Sequence, residues 1–256
     1  VIFKRSFKFK ISCLLALLVF NSFGAIDFKT KVGTAVRLHL DEIRPSQTTI
    51  GRKSVEKYNH KIRTTTKDIK LMGLLERKRA PIVIPPPEVA RELGGRAIYF
   101  VLNRQNWLNA LTDLGFEEGL FVVELNFSEL TPTEFWRQME TNYLHLFDFG
   151  HPIGRLQLPA QLQNMRKSAW RDIVEDLESR KFIEKHDHHH SACKWENFII
   201  QQLGNAFNPE SSNAEYERSY LAAVALSQTQ AASHLPGFKN CPKILITRPP
   251  SPRPED

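Results

Sequence analysis

The sequence predicts an α/β (or α+β) protein: a small mixed sheet with interspersed helices, followed by a helical C-terminal half. Three observations predict it. Short apolar, β-branched runs at 34–40, 81–84, 97–102 and 119–127 alternate with segments of helical spacing. Beyond Gly150 the apolar residues recur almost only at helical intervals. An apolar fraction of 41% against 25% charged residues is enough for a true core in a 256-residue chain.

The elements follow in order. "TAVRLHL" (34–40) reads as a strand, and Arg44-Pro45 as an extended or turn dipeptide. Ser54–Ile62 forms a short helix, and 67–78 is a second, with Ile69, Leu71, Met72, Leu74 and Leu75 at helical spacing. "PIVI" (81–84) is a strand cut off by Pro85-Pro86-Pro87, and "RELGGR" is a turn. A strand over 97–102 then leads into a helix from Trp107 to Leu114, stopped at Gly115. A third strong strand covers 119–127. The next helix announces itself: Thr131 as N-cap, Pro132 at the first position and Glu134 completing a capping box. Helical stripes follow in "PAQLQNM", "SAWRDIVEDLESRKF", "ACKWENFIIQQLGNAF" and "AEYERSYLAAVALSQTQAA". Four tryptophans (Trp107, Trp136, Trp170, Trp195) sit on these stripes, where packing explains them better than base stacking.

The ends carry different signals. Lys4, Arg5, Lys8 and Lys10 precede the apolar run 11–20, and Ser22 and Gly24 are small residues at the −3 and −1 positions of a cleavage site. This is the three-part pattern of a secretory signal peptide over 1–24, too short for a comfortable membrane span, and it implies a secreted or periplasmic protein. Its removal takes four of the seven excess positive charges and leaves +3. The pI of 9.3 is therefore a weak argument for a long nucleic-acid footprint. Cys13 leaves with the signal. Cys193 and Cys241 form one disulfide or remain two thiols, since two cysteines give no spacing to test. The organisation is a main domain over 34–207, a helical extension over 208–246, and a proline-rich, charged tail over 247–256 that reads as disordered.

Few motifs carry chemistry. There is no G-x-S-x-G, P-loop, G-x-G-x-x-G or H-E-x-x-H. "HDHHH" (186–190) is rich in metal-ligand types, yet only alternate residues such as His188 and His190 share a face of an extended segment; the solvated-loop alternative needs no metal. A divalent ion is conceivable, but no ligand spacing supports one. "YLHLFDFGHP" holds His145, Asp148 and His151, either a general-base pair or a surface turn at Asp148-Phe149-Gly150. Asn103-Arg104-Gln105-Asn106 stands at the carboxyl end of a strand and the start of a helix, where α/β proteins keep ligand sites.

The order of segments resembles the putative ParB-like nuclease family, a distant branch of the ParB/sulfiredoxin-like fold, over Leu38–Phe207. "IRPSQTTIGRKSVEKY" is similar to that family's opening through Arg44, Pro45, Gln47, Gly51, Val55 and Lys57. "APIVI", "GGRAIYFV", "FSELTPTEFWRQM" with Phe135 and Trp136, and "LFDFG" fall in the family's order. So do "NMRKSAW" with Arg166, Ser168 and Trp170, and "CKWENFI" with Trp195 and Phe198. The resemblance implies a ParB-like sheet, a nuclease activity and nucleic-acid or nucleotide substrates. It also implies an Asp-His-His-His or Asp-Arg-His-His loop ahead of a Leu-x-x-Ala-Leu helix. Leu108, Ala110 and Leu111 match the helix. The loop departs: Asn103 falls on the acid, Arg104 on the variable position, Gln105 and Asn106 on the histidines, and Leu102 looks inserted.

Amides do not titrate usefully and hold catalytic divalent metals poorly, so this loop lacks a base, an acid and a metal ligand. Amides still donate and accept hydrogen bonds, Arg104 forks onto phosphate, and a helix N-terminus favours an anion. The alternative is that Asn103 and Asn106 are turn and N-cap residues. The expectation is therefore an exported, catalytically impaired member of this family. It would bind nucleic-acid or nucleotide phosphates through Arg44, Gln47, Asn103, Arg104, Gln105 and Asn106. The alternative is a non-catalytic exported module for a small anionic ligand.

Overall fold

The computed structural model describes residues 27–65, 68–94, 98–186 and 190–239. The expected signal peptide over 1–24, His188, Cys241 and the proline-rich tail lie outside the described residues.

Strands β1 (Ala35–His39), β2 (Ile43–Pro45), β4 (Ala80–Ile84), β5 (Tyr99–Val101) and β6 (Glu118–Asn126) form one sheet in the order β1-β6-β4-β5-β2. The sheet is mixed: β1 runs antiparallel to β6, β6 parallel to β4, β4 antiparallel to β5, and β5 parallel to β2. The four longer β-branched runs of the sequence supply four of these strands. β2 and the equally short β3 (Thr49–Gly51) were not legible as strands, because three residues carry no alternation; pairing partners make them strands. β3 pairs in parallel with the distant β9 (Arg166–Ser168). A small hairpin joins β7 (Phe147–Asp148) to β8 (His151–Pro152).

Helices cover both faces of the sheet. On one face α1 (Arg52–Thr64), α2 (Asp68–Arg77) and α4 (Gln105–Asp113) enclose a core with Val55, Leu74, Trp107, Leu108 and Leu111 over Ile82, Val101 and Phe121. On the other face α3 (Pro87–Glu92) and α5 (Pro132–Asn142) set Val89, Phe135, Trp136 and Met139 against Val83 and Phe100. Helices α6 (Ala169–Ser179), α7 (Ser191–Leu203) and α8 (Asn213–Ser227) make the C-terminal half, with its own core around Trp170, Trp195, Ile199 and Tyr220. All four tryptophans are buried. Among the described residues no helix is long and apolar enough to cross a membrane.

Local chemistry explains the boundaries. The Thr131 hydroxyl accepts the Glu134 N–H at 3.2 Å, the expected cap of α5. Gly115 ends α4 with φ +79°, while Phe116 and Gly115 N–H groups donate to the Leu111 and Thr112 carbonyls, a Schellman pattern. Three expectations shift. α4 begins at Gln105 rather than Trp107, because Arg104 takes a left-handed conformation (φ +63°) as its N-cap. α3 forms after the prolines, with Pro87 at its first position. "PAQLQNM" yields only a single 3-10 turn over Leu162–Asn164 before β9.

Candidate functional site

The parallel strands β2 and β5 end side by side, with Pro45 opposite Val101, so the segments that follow them meet. The loop after β5 carries Asn103–Asn106, and each residue has a different fate. Asn103 is exposed and its side-chain oxygen accepts the Arg104 N–H at 2.6 Å, a local turn. Arg104 is exposed; its Nη1 donates at 2.8 Å to the carbonyl of Arg77, the last residue of α2, where a cation complements the helix dipole. Gln105 is buried and donates to the Ser46 hydroxyl at 2.8 Å and the Val101 carbonyl at 3.3 Å, while its own Oε1 stays without a partner. Asn106 is half-buried. Its Oδ1 accepts the Gly51 N–H at 3.2 Å and its Nδ2 donates to Glu175 Oε1 at 2.8 Å.

The start of α4 is uncapped by any side chain. Among the described residues no acceptor meets the backbone N–H groups of Gln105, Asn106 and Trp107; the first helical bond is Leu108 N–H to Arg104 O at 3.1 Å. Three N–H groups at the positive end of a helix thus have no acceptor among the described residues and follow an N-cap arginine, and unpaired donors at a helix N-terminus can bind an anion.

The N-terminus of α1 lies beside this loop and is served from α6. Asp172 is fully buried; its Oδ1 accepts the Lys53 N–H at 2.9 Å, and Arg52 Nε stands 3.9 Å from Oδ2. Burial pushes the Asp172 carboxyl up to about 7 against the Lys53 hydrogen bond, and Glu175 adds to the rise. Glu175 accepts from the Ser54 hydroxyl as well as from Asn106. Gly51 allows this approach: a Cβ there would stand 2.7 Å from Glu175 Oε1 and 3.0 Å from Asp172 Oδ1.

A second polar group links β3 to α6 and α7. Arg171 Nε donates to Glu196 Oε2 at 2.9 Å, and Arg171 Nη2 donates to Cys193 Sγ at 2.8 Å and to Thr49 Oγ1 at 3.2 Å. Thr49 in turn donates to Glu196 at 2.6 Å, and the Cys193 thiol donates to Gln47 Oε1 at 2.8 Å. Burial opposes the charge on Arg171, but Cys193 and Glu196 outweigh it. Burial raises the Cys193 thiol above its ordinary value. Cys193 is a fully buried free thiol.

The expected site residues are thus divided. Gln47 is buried and ties to Thr49 O at 2.7 Å as well as to Cys193. Arg44 is buried on the same face of the sheet as Phe100, and burial lowers its affinity for its proton. His145 comes near the loop: its N–H donates at 2.9 Å to the carbonyl of Ser46, the residue that Gln105 holds. Burial, with His190, Arg171 and Lys194, depresses His145 to about 3, so it stays neutral at ordinary pH. His190 is the N-cap residue of α7, with φ +64°. Its Nε2 lies 2.6 Å from the Tyr143 carbonyl, which can only accept, so Nε2 carries a proton. Asp148 pairs with Arg166 at 2.5 Å in the β7–β8 hairpin, and His151 is exposed there. Among the described residues no three His, Cys, Asp or Glu side chains are placed to hold a metal. Asp172, Glu175, Arg171 and Glu196 were not singled out by the sequence. Their one signal is charge placed beside Trp170, Ile173 and Val174 on α6 and beside Trp195 on α7.

The two-faced mixed sheet with a helical C-terminal half defines a ParB-like fold. The chain belongs to the putative ParB-like nuclease family, whose profile matches residues 36–201. Among solved structures the chain is similar to protein Atu1540 from Agrobacterium tumefaciens, with a TM-score of 0.64 and 21% identity over 80% of this chain and 97% of that one. That likeness concerns the fold. No curated protein matches the chain.

Proposed function

We propose that this protein binds the phosphate groups of nucleic acid or nucleotides at the N-terminus of α4 and does not cut them. The observation that carries this proposal is the uncapped start of α4, with three free N–H groups beside Arg104. Family membership supports a phosphodiester-containing ligand. The lack of cutting follows from the loop: amides stand where the family pattern has an acid and two imidazoles, and Gln105 and Asn106 are engaged in holding Ser46, Gly51 and Glu175. A non-catalytic module for a small anionic ligand is the same receptor filled by a smaller guest.

The test is thermal-shift titration with inorganic phosphate and a mononucleotide, beside a nuclease assay with Mg²⁺, Mn²⁺ and Zn²⁺. The wild type is expected to be stabilised by the anion and to leave the substrate intact. Arg104→Ala should weaken binding about tenfold, the loss of a charge-assisted contact of about 1.5 kcal/mol. Turnover by the wild type, or unchanged binding by R104A, sinks the proposal. Export is part of the same proposal, supported by the three-part pattern of residues 1–24. A secreted product whose N-terminus begins at Ala25 is the expected result, and an uncleaved cytoplasmic product refutes it.

A further inference from the structure

The exposed flanks of α1 and α2 carry cations that form no ion pair among the described residues. Lys57, Tyr58 and Lys61 share one flank of α1 by their three- and four-residue spacing. Lys78, the residue after α2, sits over the Tyr58 ring at 5.3 Å, which brings the end of α2 to α1. Lys70 and Arg77, seven residues apart, share a flank of α2, and the Arg77 carbonyl receives Arg104. Lys57, Lys61, Lys70, Arg77 and Arg104 are exposed, and among the described residues none of them forms an ion pair. By contrast Arg52 and Lys53, one turn earlier on α1, are matched by Asp172, Glu210 and Asp176. Glu56, an acid on α1, projects about 100° round the helix from Lys57.

Like charges four residues apart repel and weaken their helix, so Lys57 and Lys61 beside further unpaired cations are an electrostatic cost to the free protein. A polyanion relieves it. We infer that this α1–α2 face is the track for a nucleic-acid backbone, which continues from the phosphate seated at the start of α4. The inference rests on the proposed phosphate site and names its ligand as a polymer rather than a mononucleotide. The modest net charge without the signal peptide pointed to a small ligand. Five exposed cations without ion pairs on α1, on α2 and at Arg104 argue otherwise, since a backbone responds to local charge.

The mature protein should bind a labelled oligonucleotide of about 20 nucleotides far more tightly than a mononucleotide, with affinity falling steeply between about 50 and 200 mM salt. Lys57→Glu/Lys61→Glu, checked for an unchanged melting temperature, should lose at least about tenfold in oligonucleotide affinity and flatten the log–log salt slope by about 1.5. Its binding of inorganic phosphate should be unchanged. Wild-type oligonucleotide binding by this variant overturns the inference. So does wild-type protein that binds phosphatidylserine vesicles but not the oligonucleotide. R104A separates the two proposals. Loss of oligonucleotide affinity in K57E/K61E, with phosphate binding insensitive to R104A, removes the α4 receptor and keeps the basic track.

Discussion

Asp172 shows how one side chain carries both structure and pH sensitivity. It caps α1 from another helix, yet it is fully buried with Oδ2 lacking a hydrogen-bond donor. Its carboxyl is raised to about 7 in the folded protein, against about 3.9 in an unfolded chain. Between those values the unfolded chain has released the proton and the folded one still holds it. Stability is therefore full below about pH 4, declines as pH rises, and reaches its floor above about 7. Asp172→Asn keeps an acceptor for the Lys53 N–H and removes the charge. It should gain on the order of 2–4 kcal/mol over wild type at pH 8 and nothing at pH 4. Urea denaturation at the two pH values measures this, and a gain independent of pH would refute the assignment. None of this was legible in the sequence, where Asp172 is one acid among several on α6. Its burial comes from contact with α1, far away along the chain.

At the scale of elements, legibility followed the strength of local signals. Thr131, Pro132 and Glu134 fixed the start of α5, and Gly115 fixed the end of α4, because the cap chemistry is local. The start of α4 moved by two residues because Arg104 adopts a left-handed conformation that sequence favours in Asn or Gly rather than Arg. That shift places Asn106 inside the helix, where it faces Gly51 and Glu175 instead of capping its own backbone. The contact between α6 and α7 depends on Arg171 and Glu196, both at most 6% exposed as side chains. Removing one partner leaves a buried charge alone. Arg171→Met should cost about 3–5 kcal/mol in chemical denaturation. A loss under 1 kcal/mol would mean that water already reaches Glu196.

For the whole molecule, the family's segment order predicted the architecture, and the match over 36–201 agrees with it. The composition of the candidate site was visible as "NRQN", but its division of labour was not. Gln105 and Asn106 are held by Ser46 just after β2, Gly51 in β3 and Glu175 on α6, which only the assembled chain brings together. Gln105 thus braces the ends of β2 and β5, Asn106 joins the sheet half to α6, and Arg104 remains at the surface beside the uncapped start of α4. Net charge says nothing of local pairing: ion pairs hold Arg52, Lys53, Arg166, Lys167 and Arg171, whereas Lys57, Lys61, Lys70 and Arg77 on α1 and α2 form none among the described residues.

The parallel pairing of β3 with β9 has a consequence for the order in which the chain is completed. Thr49 is joined to Arg171 across 122 residues and to Glu196 across 147. β3 lies outside the five-stranded sheet and pairs with β9, so its edge stays open until residues 166–168 have been synthesised, and Thr49 gains Glu196 only with α7. Until then the acceptors and donors of β3 stand open beside a finished hydrophobic face. Loop closure over such a span is paid before its contacts form, so the slowest step of assembly belongs to this seam rather than to either core.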